Sequence, residues 1–196
     1  MRLFAAVLPP AEAVEELAAA ARAAELRSLP GADALRWTER SGWHFTLAFY
    51  GEVDEGTVPE LSARLARAAG RAAPFPLALH GAGRFGDRAL WAGASGDVAA
   101  LRLLAGRTEA AGRKARVPGA SGDAGDAGRA YRAHITLARS GRRATDLRPY
   151  VRALETFEGR AWEVRTLSLV RSRLPAAGVP GERPRYETVA HWELSR

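Results

Sequence analysis

With 196 residues, 47% of them hydrophobic, the chain can bury one sizeable core or two small lobes that share one, and it contains no apolar run of roughly eighteen residues such as a membrane helix needs. It has no cysteine, which excludes disulfides, thiolate nucleophiles and every Cys-ligated metal site, so any chemistry must come from His, Ser/Thr, carboxylates or Arg. The net charge of +7, almost all of it arginine because Lys114 is the single lysine, fits either an anionic partner or a composition bias.

In chain order, the apolar stretch 3–8 reads as a strand and stops at Pro9-Pro10, too short for a secretory signal, so a soluble cytoplasmic protein is expected. A helix follows with Val14, Leu17 and Ala21 on one face. Next comes a strand carrying His44-Phe45-Thr46-Leu47-Ala48, then Gly51 and a helix opened by a Thr57/Glu60 capping box, with Val58, Leu61 and Leu65 as its apolar stripe. A strand at 75–80 ends this half. The order then repeats. A strand at 89–92 leads into a helix capped by Asp97, with Leu101, Leu104 and Thr108 on one face. His134-Ile135-Thr136-Leu137-Ala138 reproduces the earlier motif at an offset of ninety residues, with four of five positions identical. Gly141 follows, then a helix capped by Thr145 or Asp146 with Leu147, Val151 and Leu154 as its stripe, then a strand over 162–170. A closing strand is expected over 186–194. Two stretches, 117–130 and 175–185, are poor in large apolar residues or rich in Pro and Gly and read as loops, the first placed where it could gate a site at the second motif.

This pattern predicts one α+β domain over 1–196, built from repeats of approximately 1–86 and 87–174 plus the terminal strand. On a strand, His44 and Thr46 share one face while Phe45 and Leu47 share the other, and the second copy repeats this with His134 and Thr136 against Ile135 and Leu137. If the repeats pack about a pseudo-two-fold axis, two imidazoles and two hydroxyls converge on one cleft. Displacement at phosphorus wants a base and an acid on opposite sides of the phosphate, and imidazole can serve as either near neutral pH. The hydroxyls can donate to the non-bridging oxygens. A strained cyclic phosphate would need no metal.

Paired His-x-Thr-Leu strands, the opening Arg2-Leu3-Phe4-Ala5-Ala6 with Pro9-Pro10, the run Leu47-Ala48-Phe49-Tyr50-Gly51-Glu52-Val53, Leu90-Trp91-Ala92-Gly93 and Leu169-Val170-Arg171-Ser172-Arg173-Leu174 together resemble the LigT-like RNA 2′,3′-cyclic phosphodiesterases of the two-histidine phosphoesterase superfamily. The resemblance spans essentially the whole chain. It implies a bilobal α+β fold, an antiparallel sheet with helices in each lobe, and the motifs facing each other across a central groove. It further implies that His134 is the proton acceptor that activates water, and that His44 is the proton donor to the departing 3′-oxygen, leaving a 2′-phosphate. Thr46 and Thr136 would hold the phosphate. The family's basic residue after the second motif corresponds to Arg139, although simple alternation would turn it to the apolar face unless the strand ends or twists there. The partners implied are RNA or nucleotides with 2′,3′-cyclic phosphate ends, handled by a monomer without cofactor or membrane.

Rival readings differ in what they need. A duplicated structural strand would tolerate Val or Thr at both histidine positions, and a zinc site would lack a third ligand at recognisable spacing, since His80 and His191 sit in no such motif. The reverse reaction, 2′-5′ RNA ligation, uses the same residues, and a non-catalytic RNA-end-binding module would use only the groove. Among the aromatic residues near the first motif, Phe49 is expected in the core, while Trp37, Trp43 and Tyr50 could pack or stack on a base. Arg129 and Arg132 could follow a phosphodiester backbone, and one of Arg171 and Arg173 could face the groove.

Overall fold

The computed structural model describes residues 1–120, 131–174 and 184–196. Its strands are β1 (Arg2–Val7), β2 (Leu35–Trp37), β3 (Phe45–Glu52), β4 (Phe75–Phe85), β5 (Ala89–Gly96), β6 (Ile135–Ser140), β7 (Trp162–Val164), β8 (Thr166–Arg173) and β9 (Arg185–Glu193). The helices are α1 (Ala11–Ala23), α2 (Val58–Ala69), α3 (Val98–Lys114) and α4 (Arg148–Leu154). The fold is α+β with two antiparallel sheets, ordered β3-β1-β8-β9 and β2-β6-β5-β4-β7.

The expected succession of strand, helix, strand, helix, strand is present twice, but the two sequence halves are not the two lobes. In the first sheet β1 lies between the motif strand β3 and β8, which comes from the second half. In the second sheet β5 lies between the motif strand β6 and β4, which comes from the first. The helices trade in the same sense. α1 and α4 pack against β4 of the second sheet, whereas α2 and α3 pack together and cover β8 and β3 of the first. Each half therefore sends one helix and its last strand to the other lobe, and the first half sends the short β2 as well.

Local chemistry sets most boundaries. The Asp97 side chain accepts from the Ala100 amide at 2.9 Å at the start of α3, whose Leu101, Leu104 and Thr108 are fully buried. Asp146 accepts from the Arg148 amide at 3.1 Å at the start of α4. The Thr57 side chain makes no capping bond, because a single 3-10 turn over Glu55–Thr57 runs straight into α2 and leaves Thr57 already helical. The run 162–170 is broken at Arg165, so β7 pairs with β4 in the second sheet and β8 with β1 in the first. β2, too short to give a period-two signal, pairs with β6 at the second sheet's edge. Buried side chains of both lobes, among them Leu3, Leu17, Phe45, Leu47, Leu77, Leu79, Leu90, Ile135, Leu137 and Leu167, join in one continuous core. Each such side chain is worth about 1.5–3 kcal/mol relative to exposure.

Candidate active site

The faces of the sheets turned away from this core enclose a groove of about 530 Å³, within the roughly 300–1,000 Å³ usual for small-ligand sites. His44, Thr46, His134, Thr136 and Arg139 all line it. The motif strands bring them there because Phe45, Leu47, Ile135 and Leu137 are driven into the core on the other side.

One irregularity, identical in both copies, aims the residue that follows each motif. Ala5 pairs with Ala48 and Ala6 with Thr46, so Leu47 is an extra residue in β3, and Leu137 is likewise extra in β6, where Leu90 pairs with Ala138 and Trp91 with Thr136. Such a β-bulge puts two residues opposite one and re-phases the alternation beyond it. Both bulged leucines are buried, and so are Ala48 and Ala138 beside them. The next residue in each strand, Phe49 and Arg139, consequently points into the groove with the threonine. Arg139 thus reaches the site despite simple alternation. Phe49, expected in the core, lines the groove instead, with the Arg2 guanidinium 4.8 Å above its ring.

The histidines are held alike and housed differently. His134 Nδ1 lies 2.7 Å from the Arg132 carbonyl, and the His44 ring bonds to the Gly42 carbonyl, in each case two residues back along the chain. A ring nitrogen bonded to a carbonyl is the protonated one in a neutral imidazole, which leaves the Nε2 of His134 as its acceptor. His134 is buried, with Phe85 edge-on at 4.9 Å and Trp91 at 6.1 Å. His44 is half-buried between Phe4 at 4.6 Å and Tyr186 at 5.1 Å. Burial, and then the charges of His134 and Arg139, pull the His44 pKa down to about 4, against a smaller upward pull from the Gly42 carbonyl. At neutral pH the His44 ring is therefore neutral. Burial raises the Tyr186 phenol, and the Arg139 and Arg2 charges oppose that shift.

Several groove residues were not singled out as site residues from the sequence. Thr38, Phe85, Arg88, Ser172 and Tyr186 all line it, and only the regular spacing of β8 and β9 could have hinted at the last two. Ser172 faces the groove, so Arg171 and Arg173 do not line it, and Arg173 pairs with Glu187 at 3.0 Å. Trp43 packs against the core and does not line the groove, and Tyr50 is wholly buried with its hydroxyl donating to the Thr108 carbonyl at 2.9 Å, so it cannot stack on a ligand. Trp37 also packs against the core, its indole N–H donating to the Ala32 carbonyl at 3.1 Å. Arg132 lies over Trp91, 5.7 Å from the ring, rather than in the groove. His80 and His191 lie outside it. Most of the 117–130 stretch, Arg129 included, and most of 175–185 fall outside the described residues. Among the described residues no three His, Asp or Glu side chains cluster as a metal site would need, and no helix is long and apolar enough to cross a membrane.

The model of the LigT like Phosphoesterase family matches residues 7–91 and 106–180. The chain belongs to this family. It is 33% identical over 194 residues to an RNA 2′,3′-cyclic phosphodiesterase of Thermus thermophilus, covering 91% of this chain and 85% of that protein. It is 30% identical over 162 residues to the RNA 2′,3′-cyclic phosphodiesterase of Geobacillus stearothermophilus, covering 81% of this chain but only 47% of that longer relative. Among solved structures, E. coli LigT complexed with 3′-AMP superposes with a TM-score of 0.72 at 26% identity over 100% of this chain and 98% of that one. The Thermus thermophilus protein TT0787 gives 0.70 at 30% identity over 99% and 98%. As a LigT-like phosphoesterase the chain is a hydrolase with two-lobed architecture.

Proposed function

We propose that the groove hydrolyses the 2′,3′-cyclic phosphate at RNA ends to a 2′-phosphomonoester, without a metal. The observation that carries this reading is the convergence of two His-x-Thr strands, each with the same bulge and the same carbonyl-bonded imidazole, on the walls of a single groove. The names of the Thermus and Geobacillus relatives, and the 3′-AMP carried by E. coli LigT, support a nucleotide phosphoester as the ligand. Both histidines come from one polypeptide, so a monomer suffices.

In the reaction His134 accepts a proton from water as the water oxygen bonds to phosphorus. The bond from phosphorus to the 3′-oxygen breaks on the opposite side, and His44 delivers its proton to that oxygen. Thr46 and Thr136 donate to the non-bridging oxygens, and Arg139 balances the charge that gathers there. His44 must be protonated for this, although its depressed pKa leaves it neutral at neutral pH before substrate binds. The bound phosphodiester anion supplies the remedy, because its charge offsets the burial penalty and the repulsion from Arg139 that depress the ring, while His134, as the acceptor, is uncharged. Phe49, with Arg2 above it, offers a flat face to the terminal base.

The test is to incubate the protein with a cyclic-phosphate oligonucleotide, with and without chelator, and to map the product end. A 2′-phosphate formed in either condition is the expected result. A 3′-phosphate would reverse the assignment of donor and acceptor, loss of activity with chelator would overturn the metal-free step, and oligonucleotide joining would redirect the reading to ligation.

A further inference from the structure

Just beyond the groove, the second sheet carries arginines for which the reaction at the terminal phosphate has no use. Arg36 on β2 stands directly opposite Arg139 on β6. Directly paired residues of antiparallel strands project from the same face, and on this face Arg139 and Thr38 line the groove. Arg88, in the turn between β4 and β5, lines it beside them. Ser140 ties the group together, its amide donating to the Arg88 carbonyl at 2.9 Å while its own carbonyl accepts from the Arg36 guanidinium at 3.4 Å. The Arg36 side chain and the Arg88 main chain are thereby held on either side of the strand end that bears Arg139.

The neighbouring carboxylates are engaged elsewhere. Asp87 lies 3.5 Å from Arg84, and Asp146 lies 2.9 Å from Arg148. Like charges placed opposite each other across an antiparallel pair destabilise it, so the pairing of Arg36 with Arg139 is a cost that a bound anion would relieve. A charge on an edge strand can also serve simply to deter pairing with another chain, but that role needs neither Arg88 nor proximity to the groove.

We propose that Arg36 and Arg88, flanking Arg139, form a second phosphate subsite for the phosphodiester one nucleotide before the reacting end. Single-stranded RNA of two or more nucleotides is then the substrate class, in preference to free cyclic mononucleotides. The proposal rests on the cyclic phosphodiesterase reading above. A guanidinium suits the role because it donates in pairs to phosphate oxygens, and a contact to the backbone is indifferent to sequence. A 2′,3′-cyclic mononucleotide has no second phosphate to offer.

The test uses the full chain and compares kcat/KM for 2′,3′-cyclic AMP with that for an adenosine tetranucleotide bearing the same cyclic end. Calorimetry with the 2′-phosphate forms of both, at low and moderate salt, runs beside it. The expected wild-type preference for the tetranucleotide is about tenfold or more, since a lost charged contact to phosphate costs on that order. Arg36→Ala and Arg88→Ala should each remove most of it, Arg36→Lys should restore part, and the salt slope of tetranucleotide binding should fall by about one per arginine removed. Equal kcat/KM for the two substrates in the wild type, or alanine variants that keep the preference, would overturn the subsite. If neither substrate is turned over, the cyclic phosphodiesterase reading fails and calorimetry decides the subsite alone. Tetranucleotide binding no tighter than that of 2′-AMP would then reject it, and tighter binding lost in Arg36→Ala would uphold it.

Discussion

The two walls of the groove share a backbone and differ in what they hang on it. Each has a His-x-Thr strand, a bulge at the leucine and an imidazole bonded two residues back. After the bulge the first wall presents Phe49 and the second Arg139. The first houses its histidine in a half-open slot made by Phe4 and Tyr186, the second in a closed one made by Phe85 and Trp91. Duplication thus accounts for the shared geometry of the two walls, and a few unlike side chains around it give two otherwise equivalent rings the different surroundings on which the proposed donor and acceptor roles rest.

That contrast can be broken most severely at the rings. His44→Ala and His134→Ala should each lower kcat by roughly 10²–10⁴-fold while circular dichroism and oligonucleotide binding stay close to wild type; a variant that keeps its rate removes that ring from the chemistry. The residues after the bulges should differ in kind. Arg139→Ala is expected to cost about 10²–10³-fold, chiefly in kcat, whereas Phe49→Ala should act chiefly on KM through a stacking loss of about 1–3 kcal/mol. Steady-state kinetics on both separates charge stabilisation from base binding, and the same kcat loss in each would erase the distinction.

Removing the anchors of the bulges should be costly for both walls and selective for function. Leu47→Ala and Leu137→Ala should each lose about 2–5 kcal/mol in denaturant unfolding, but only Leu137→Ala should mimic part of the Arg139→Ala defect, because it loosens the aim of the charge proposed to act on the phosphate. The smallest effect is a titration. By NMR, His44 should titrate near pH 4 in the free protein and move upward when a nucleotide phosphate binds. Since the liganded ring holds a proton that the free one lacks, binding near pH 6 should take up protons, seen as a buffer-dependent heat. Proton release, or an unmoved His44, would remove it as the acid.

Much of this was legible in the residues. The repeat, the motif faces and the helices α1 and α3 follow from apolar spacing and from caps such as Asp97, which are local signals. What escaped is set by partners distant in sequence. Nothing between 75 and 85 says that β4 must leave its own half, because a strand's alternation is the same in either sheet. Arg165 interrupts a run that alternates well and yet divides between two sheets. Phe49 was misplaced because period-two counting holds only until a bulge, and a bulge is defined by the pairing strand rather than by the bulged one. Thr57 and Glu60 carry the letters of a capping box, but the preceding turn had already committed the backbone.

The traffic of β4 and β8 between sheets has a consequence for ancestry and for mechanics. A half-length forebear with this connectivity would leave its last strand homeless unless two copies exchanged arms, so the modern chain has the layout of an arm-swapped homodimer spliced into one polypeptide. The splice also braces the jaws. The chain passes between the two sheets at several connections, one of them the single residue Arg165, so parting them would strain all of these crossings together, and the spacing between the two imidazoles is a built-in dimension of the scaffold.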